Sequence, residues 1–210
     1  MATEGEASDR LEAIVLAAGA GLRFGGAKLT ARWRSGLLIH GALTAAFATR
    51  ARTVTVVTGA DPQVGPAAQA WANEQGEGDR LRIVHADDHA QGMAASLRAG
   101  VASLPANASG AFVFLGDMPD IPVAILQPLA DALSAGAKAA APVFDGKRGH
   151  PVLVSRDLFG ALTALTGDAG ARGVLDSLGA ALALVPTRDP SVLFDVDTAA
   201  TPPQRRSRPW

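Results

Sequence analysis

The residues able to do chemistry fall into a few short stretches. The first, Ile14–Lys28, is an apolar run that passes into Gly19, Gly21, Gly25 and Gly26 and carries two cations, Arg23 and Lys28. Glycine lets a backbone come close to a ligand. A buried strand feeding such a loop can cradle phosphate oxygens with amides while the cations neutralise their charge. The second is Leu115-Gly116-Asp117-Met118-Pro119, a carboxylate directly after an apolar strand. A hard cation such as Mg2+ is held by one or two carboxylates plus phosphate oxygens, so Asp117 is the expected metal ligand. The plain alternative is a cap on the turn that Pro119 and Pro122 enforce. In the third, Asp195-Val196-Asp197-Thr198, alternation puts both carboxylates on one face of an extended segment. Like charges there favour a shared cation or cationic neighbours. Asp197 is the expected second ligand and Asp195 its rival.

Three further stretches could shape a ligand site. Gly92 precedes a helix carrying Ser96 one turn in, and the free amides of a helix start favour anions or a nucleobase carbonyl. His150 lies between Gly149 and Pro151 in a shaped loop, where substrate positioning is preferred over acid–base work. Asp168 and Arg172 place a carboxylate and a cation at another helix start. Better-known signatures fail. G-x-G-x-x-G from Gly19 meets Phe24, and the Walker A spacing from Gly21 ends in Ala27-Lys28-Leu29. Gly-x-Ser-x-Gly does not occur. His85 and His89 straddle a strand end rather than sharing a helix face.

The elements that must position these residues alternate. Strands are expected at Ala13–Ala17, Val54–Thr58, Leu81–Ala86, Ala111–Leu115, Ala139–Val143 and Leu182–Val185. Between them, helical spacing predicts Leu38–Arg50, Pro66–Glu74, Met93–Leu104, Pro122–Ala135, Ser155–Leu165 and Ala171–Leu178. Pro128 should break or kink the fourth, and Ser155 should cap the fifth. Such alternation implies an α/β domain with a mostly parallel sheet covered on both faces. Ligands in such sheets sit beyond the carboxyl ends of the strands, which gathers the loops after Ala17, Thr58, Ala86 and Leu115 around one crevice.

Composition supports a folded core and excludes other classes. Of 210 residues, 48% are hydrophobic and 19% charged, which suits one domain at residues 11–200. A formal net charge of -1 offers no single-sign field for nucleic acid or membrane. The absence of cysteine excludes disulfides and thiolate chemistry. Residues 1–10 do not resemble a signal peptide, so a cytoplasmic protein is expected. Residues 1–10 and the proline- and arginine-rich 201–210 are expected to be disordered.

Taken in order, Leu16–Lys28, Gly92–Gly100, Leu115–Pro119, Gly146–Leu153, Gly167–Leu175 and Asp195–Thr198 resemble nucleotidyltransferases of the molybdenum-cofactor type, closest to the cytidylyltransferase family. The resemblance implies a single Rossmann-like three-layer domain of the nucleotide-diphospho-sugar transferase type. It also implies Mg2+ dependence and transfer of CMP from CTP, or of GMP from GTP, to molybdopterin, with a client molybdoenzyme beyond it. By the same resemblance Leu16, Ala17, Ala18, Gly19, Gly21, Arg23, Lys28, Gly92 and Ser96 would hold the nucleotide. Lys28, Arg23 and Asp117 would be catalytic, and Gly149, His150, Pro151, Asp168 and Arg172 would face the pterin. Ala18, in Leu16-Ala17-Ala18-Gly19, resembles the cytidylyl branch. The chain departs from the family at Leu29–Leu38, where a Gly-x-Pro-Leu turn is usual, and after Thr198, where a closing helix is usual.

Overall fold

Strand β1 (Leu11–Ala17) is buried along almost its whole length, as a strand covered on both faces must be. It lies mid-sheet in the computed structural model, which describes residues 10–167 and 170–197, with the backbone alone at Arg23. The expectations for residues 1–9, Asp168, Thr198 and the 201–210 tail fall outside the described residues.

Alternate residues of β1 serve two separate cores. Ala13, Val15 and Ala17 pack with Leu38, Ile39 and Leu43 of helix α1 (Leu38–Phe47), with α2 (Val64–Glu74) and with α4 (Leu126–Ser134). Ile14 packs on the other face with Leu97 and Val101 of α3 (Met93–Ala102), Leu162 of α5 (Phe159–Thr163) and Leu175 of α6 (Arg172–Asp176). The result is helix, sheet and helix in three layers.

The other strands are β2 (Arg32–Trp33), β3 (Gly36–Leu37), β4 (Val54–Thr58), β5 (Leu81–His85), β6 (Gly110–Leu115), β7 (Ala139–Phe144), β8 (Lys147–Arg148), β9 (Val152–Ser155) and β10 (Leu182–Pro186). Among the described residues the main sheet runs β10-β7-β9-β6-β1-β4-β5, with β8 on β7. Pairs β1–β4, β1–β6, β4–β5 and β7–β10 are parallel. Strand β9 is antiparallel to both β6 and β7, so the sheet is mixed. The Gly149–Pro151 loop that precedes β9 therefore sits at the carboxyl end of β6, where Val113 pairs with Val152.

Two expectations are corrected. Ser155 ends β9 instead of capping a helix, its side chain makes no cap bond, and α5 starts only at Phe159 after a 3-10 turn. The four-residue run Val152–Ser155 is too short for its periodicity to stand out against the helical stripe behind it. Pro128 falls in the first turn of α4, where amides lack intrahelical acceptors anyway, so the α-helix begins at Leu126 and a 3-10 turn replaces its expected first residues. The departure at Leu29–Leu38 is the β2–β3 hairpin, with Arg34 at its tip at φ 53. Trp33 contacts the Phe194 ring at 6.2 Å, and Arg34 forms a bidentate pair with Asp120 at 2.7 Å.

One close approach couples α1 to the turn after Asp117. A Cβ at Gly41 would lie 2.1 Å from the Pro119 carbonyl oxygen and 2.6 Å from its carbon, and backbone cannot yield cheaply. Gly41→Ala is expected to destabilise the protein by about 3 kcal/mol and to lower its Tm by roughly 6–12 °C, read by thermal unfolding. A melting temperature equal to wild type would show that this contact is not rigid.

Candidate active site

Seven consecutive residues, Leu16 to Leu22, line a cavity of about 750 Å³ beyond the carboxyl end of β1. The chain leaves β1 and passes through Gly21 at φ 58 into a 3-10 turn at Leu22–Phe24, so the glycine-rich loop holds one tight turn. The Gly21 carbonyl accepts from the amides of Phe24 at 2.9 Å and Gly26 at 3.2 Å, which curls the loop on itself. A Cβ at Gly21 would meet Lys28 Cβ at 2.7 Å, so glycine is needed for the close return of Lys28. Among the described residues no carbonyl accepts from the amides of Gly19, Ala20 or Gly21. Open amides of this kind suit anionic oxygens.

Lys28 turns inward, with 11% of its side chain exposed, and its Nζ lies 2.7 Å from Asp117 and 3.8 Å from Asp197. Asp117 follows β6 as expected, and its carbonyl accepts the Val196 amide at 3.1 Å. That bond ties the Asp195–Asp197 segment to the β6 loop. Val196 is buried between the two carboxylates, and Asp117, Asp195 and Asp197 all line the cavity. Partial desolvation, and then the charges of Asp197 and Asp117, push the Asp195 carboxyl above its usual range, with Lys28 pulling the other way. One lysine thus faces three carboxylates, an excess of negative charge that suits a divalent cation. Among the described residues no three of His, Cys, Asp and Glu form a group able to hold a metal ion. The donor chemistry fits a hard cation that completes its shell with substrate oxygens and water.

Gly92 and Ser96 also line this cavity, Gly92 at φ 111 immediately before α3. Ala60, Ala90 and Met93 join them and were not singled out from the sequence, as does His89, which was weighed there only as a metal ligand paired with His85. The expected loop cluster after Thr58 and Ala86 was the signal that could have found Ala60 and His89. The side chain of Arg23 is outside the described structure.

A second cavity, of about 1150 Å³, adjoins the first and is lined by Gly149, His150 and Arg172, together with Lys147, Arg148 and Asp176. Arg148 pairs with Asp176 at 2.7 Å across it. Pro151 is buried outside the lining, after a cis peptide bond. The His150 amide donates to the Val192 carbonyl at 2.9 Å, which pins the loop. Burial holds the His150 imidazole below its usual pKa. A hydrogen bond to the Val113 backbone and the charge of Asp117 oppose this, and Arg148 reinforces it. The ring is neutral near pH 7, with its Nδ1 buried and unpartnered among the described residues. The two cavities share Leu16, Met93 and Leu115.

A family model described as MobA-like NTP transferase domain matches residues 13–183. The chain is 28% identical over 148 residues, 70% of each chain, to the molybdenum cofactor cytidylyltransferase of Escherichia coli (strain K12). It is 32% identical over 193 residues to the nicotine blue oxidoreductase of Paenarthrobacter nicotinovorans, covering 88% of this chain and 91% of that protein. A solved structure, the homolog of Mycobacterium tuberculosis Rv0371c from Mycobacterium sp. strain JC1, matches with a TM-score of 0.74 at 29% identity, over 90% of this chain and 91% of that one.

The raised Asp195 pKa has a definite consequence. The folded state binds this proton more tightly than the unfolded state. The group's stabilising contribution is therefore full below the ordinary aspartate value of 3.8 and is lost as pH rises through the raised one. Asp195→Asn is expected to melt above wild type at pH 7 without divalent ions, by no more than about 2 °C because solvent screens the site. The gap should close as pH falls toward 4 in thermal melts, and a gap that widened toward acid would contradict this charge balance.

Proposed function

As the chain belongs to the MobA-like NTP transferase domain family, we propose that it moves CMP from CTP to molybdopterin in the cytoplasm and releases pyrophosphate. The observation that carries this reading is the sharing of one cavity by the Gly19–Gly21 amides, Lys28 and Asp117, with a second cavity across a common wall. A triphosphate fits the first, and a phosphorylated acceptor fits the second.

In this mechanism an oxygen of the acceptor's terminal phosphate attacks the nucleotide α-phosphorus. The bond from that phosphorus to the bridging α–β oxygen breaks, and pyrophosphate departs. The attacking oxygen is already ionised, so no strong base is needed, and positioning and charge neutralisation supply the rate. Leu16, Ala17, Ala18, Gly19 and Gly21 form the nucleotide wall, with Gly92 and Ser96 at the start of α3. Lys28, with Arg23, holds the departing pyrophosphate. Asp117, with Asp197 or its rival Asp195, would hold Mg2+, which when bound neutralises charge on the α-phosphoryl oxygens. Gly149, neutral His150 and Arg172 form the acceptor side, with Pro151 buried behind them; by the resemblance Asp168 would join them. GTP is the alternative donor, and Ala18 is the residue that favours CTP. A client molybdoenzyme would receive the product.

A second reading is favoured by the relative named nicotine blue oxidoreductase, whose match is longer and more identical than that of the cytidylyltransferase. A redox reaction in the same cavities would release no pyrophosphate.

Pyrophosphate release with CTP or GTP, Mg2+ and molybdopterin separates these readings. CTP is expected to give the faster release, and no release with either nucleotide would defeat nucleotidyl transfer. Lys28→Ala and Asp117→Ala should each lower turnover by about 10²–10³-fold, with circular dichroism spectra like wild type. Near-normal turnover in Asp117→Ala would remove its metal role.

A further inference from the structure

Both cavities are rimmed by charge, yet the three residues they share, Leu16, Met93 and Leu115, are all apolar. Leu16 and Leu115 are register partners at the carboxyl ends of β1 and β6, so they form the floor of the common wall. Met93 is different. It is the first residue of α3, is 47% exposed, and is one of five large apolar side chains exposed among the described residues. Packing does not require it there, since the buried residues of α3 are Ala94, Ala95, Ser96, Leu97, Gly100 and Val101.

Its position is nevertheless fixed from two sides. Gly92, at φ 111, turns the chain into the helix. The Ala94 amide donates to the Gly167 carbonyl at 3.3 Å, and a Cβ at Gly170 would lie 2.9 Å from Met93 Sδ. Met93 thus bridges from the nucleotide cavity to the loop that leads into Arg172.

We propose that Met93 is a specificity-determining residue that keeps water from replacing the acceptor, a role that rests on the nucleotidyl-transfer reading above. Two nucleophiles compete for one phosphorus. Attack by an acceptor phosphate oxygen forms a phosphoanhydride and expels pyrophosphate, with no proton to remove. Attack by water breaks the same bond to the bridging α–β oxygen, yields nucleoside monophosphate and pyrophosphate, and releases its proton to solvent. Water outnumbers any acceptor, so the wall between the cavities must disfavour it. A polar side chain at position 93 would hold water by hydrogen bonding. A thioether on three rotatable bonds sheds water and adapts to whatever lies against it. The side chains of Leu16 and Leu115 likewise offer water no hydrogen-bond partner on the floor between the two charged cavities.

The test uses the full-length protein with CTP or GTP and Mg2+ and no acceptor. Nucleoside monophosphate is measured by chromatography, and nucleotide affinity by calorimetry. Met93→Ala is expected to raise monophosphate release about tenfold, with the nucleotide Kd within about threefold of wild type. Met93→Leu, which restores apolar volume, should bring the release back down. Equal release from nucleotide-saturated wild type and Met93→Ala would overturn the proposal. So would a loss of affinity that accounts for the whole change, because Met93 would then be only a binding contact. If wild type binds neither CTP nor GTP, the nucleotidyl-transfer reading itself is overturned, which calorimetry shows before any variant is made.

Discussion

The nearly buried Lys28 ammonium stands 2.7 Å from Asp117 and 3.8 Å from Asp197, and the arrangement of the site follows from keeping those charges together. An ammonium so far out of water needs anionic partners, and removing one leaves an uncompensated charge. Lys28 comes from the loop after β1, Asp117 from the loop after β6, and Asp197 from the end of the described chain. The pairing therefore ties together segments far apart in sequence. The Val196–Asp117 backbone bond does the same without charge. The balance is deliberately incomplete in sign: Asp195 carries a raised pKa because its neighbours supply more negative charge than one lysine offsets. The negative charge gathers at Asp117, Asp195 and Asp197, while Lys28 and the open amides of Gly19–Gly21 supply the positive side of the same cavity.

The sheet makes this geometry possible. Parallel β1, β4, β5 and β6 direct their carboxyl ends to one side. The antiparallel β9 between β6 and β7 returns the chain so that the residues before it, not those after it, reach that side. Gly149 and His150 join the second cavity for this reason. The β2–β3 hairpin plays a supporting part. Its Trp33 leans on Phe194, the residue before Asp195, and its Arg34 grips Asp120, three residues after Asp117. Both carboxylate segments are braced from behind by this hairpin.

Fold and reaction need to be kept apart. The family is that of the MobA-like NTP transferase domain, yet a relative at 32% identity carries the name of an oxidoreductase. Fold similarity alone does not choose between them. The choice lies in which groups line the first cavity, and Lys28, Asp117 and the open amides are groups that transfer of a phosphate-bearing unit uses and redox chemistry does not require.

The sequence by itself determined the elements whose burial is uniform and the residues whose chemistry is local. Runs such as Phe112–Leu115 announce doubly covered strands, and the glycines of Gly19–Gly26 announce a tight loop after β1, because each signal is contained within a few neighbouring residues. A carboxylate just past a strand also places itself, which made Asp117 legible. Tertiary structure alone decided that Val152–Ser155 is a strand running against its neighbours, that Pro128 sits harmlessly in a first turn, and that His89 and Met93 reach the cavities. Those outcomes depend on partners distant in the chain. Strand direction is set by pairing, a proline's cost by where the helix begins, and a side chain's role by which wall it meets, and none of the three is encoded in local spacing.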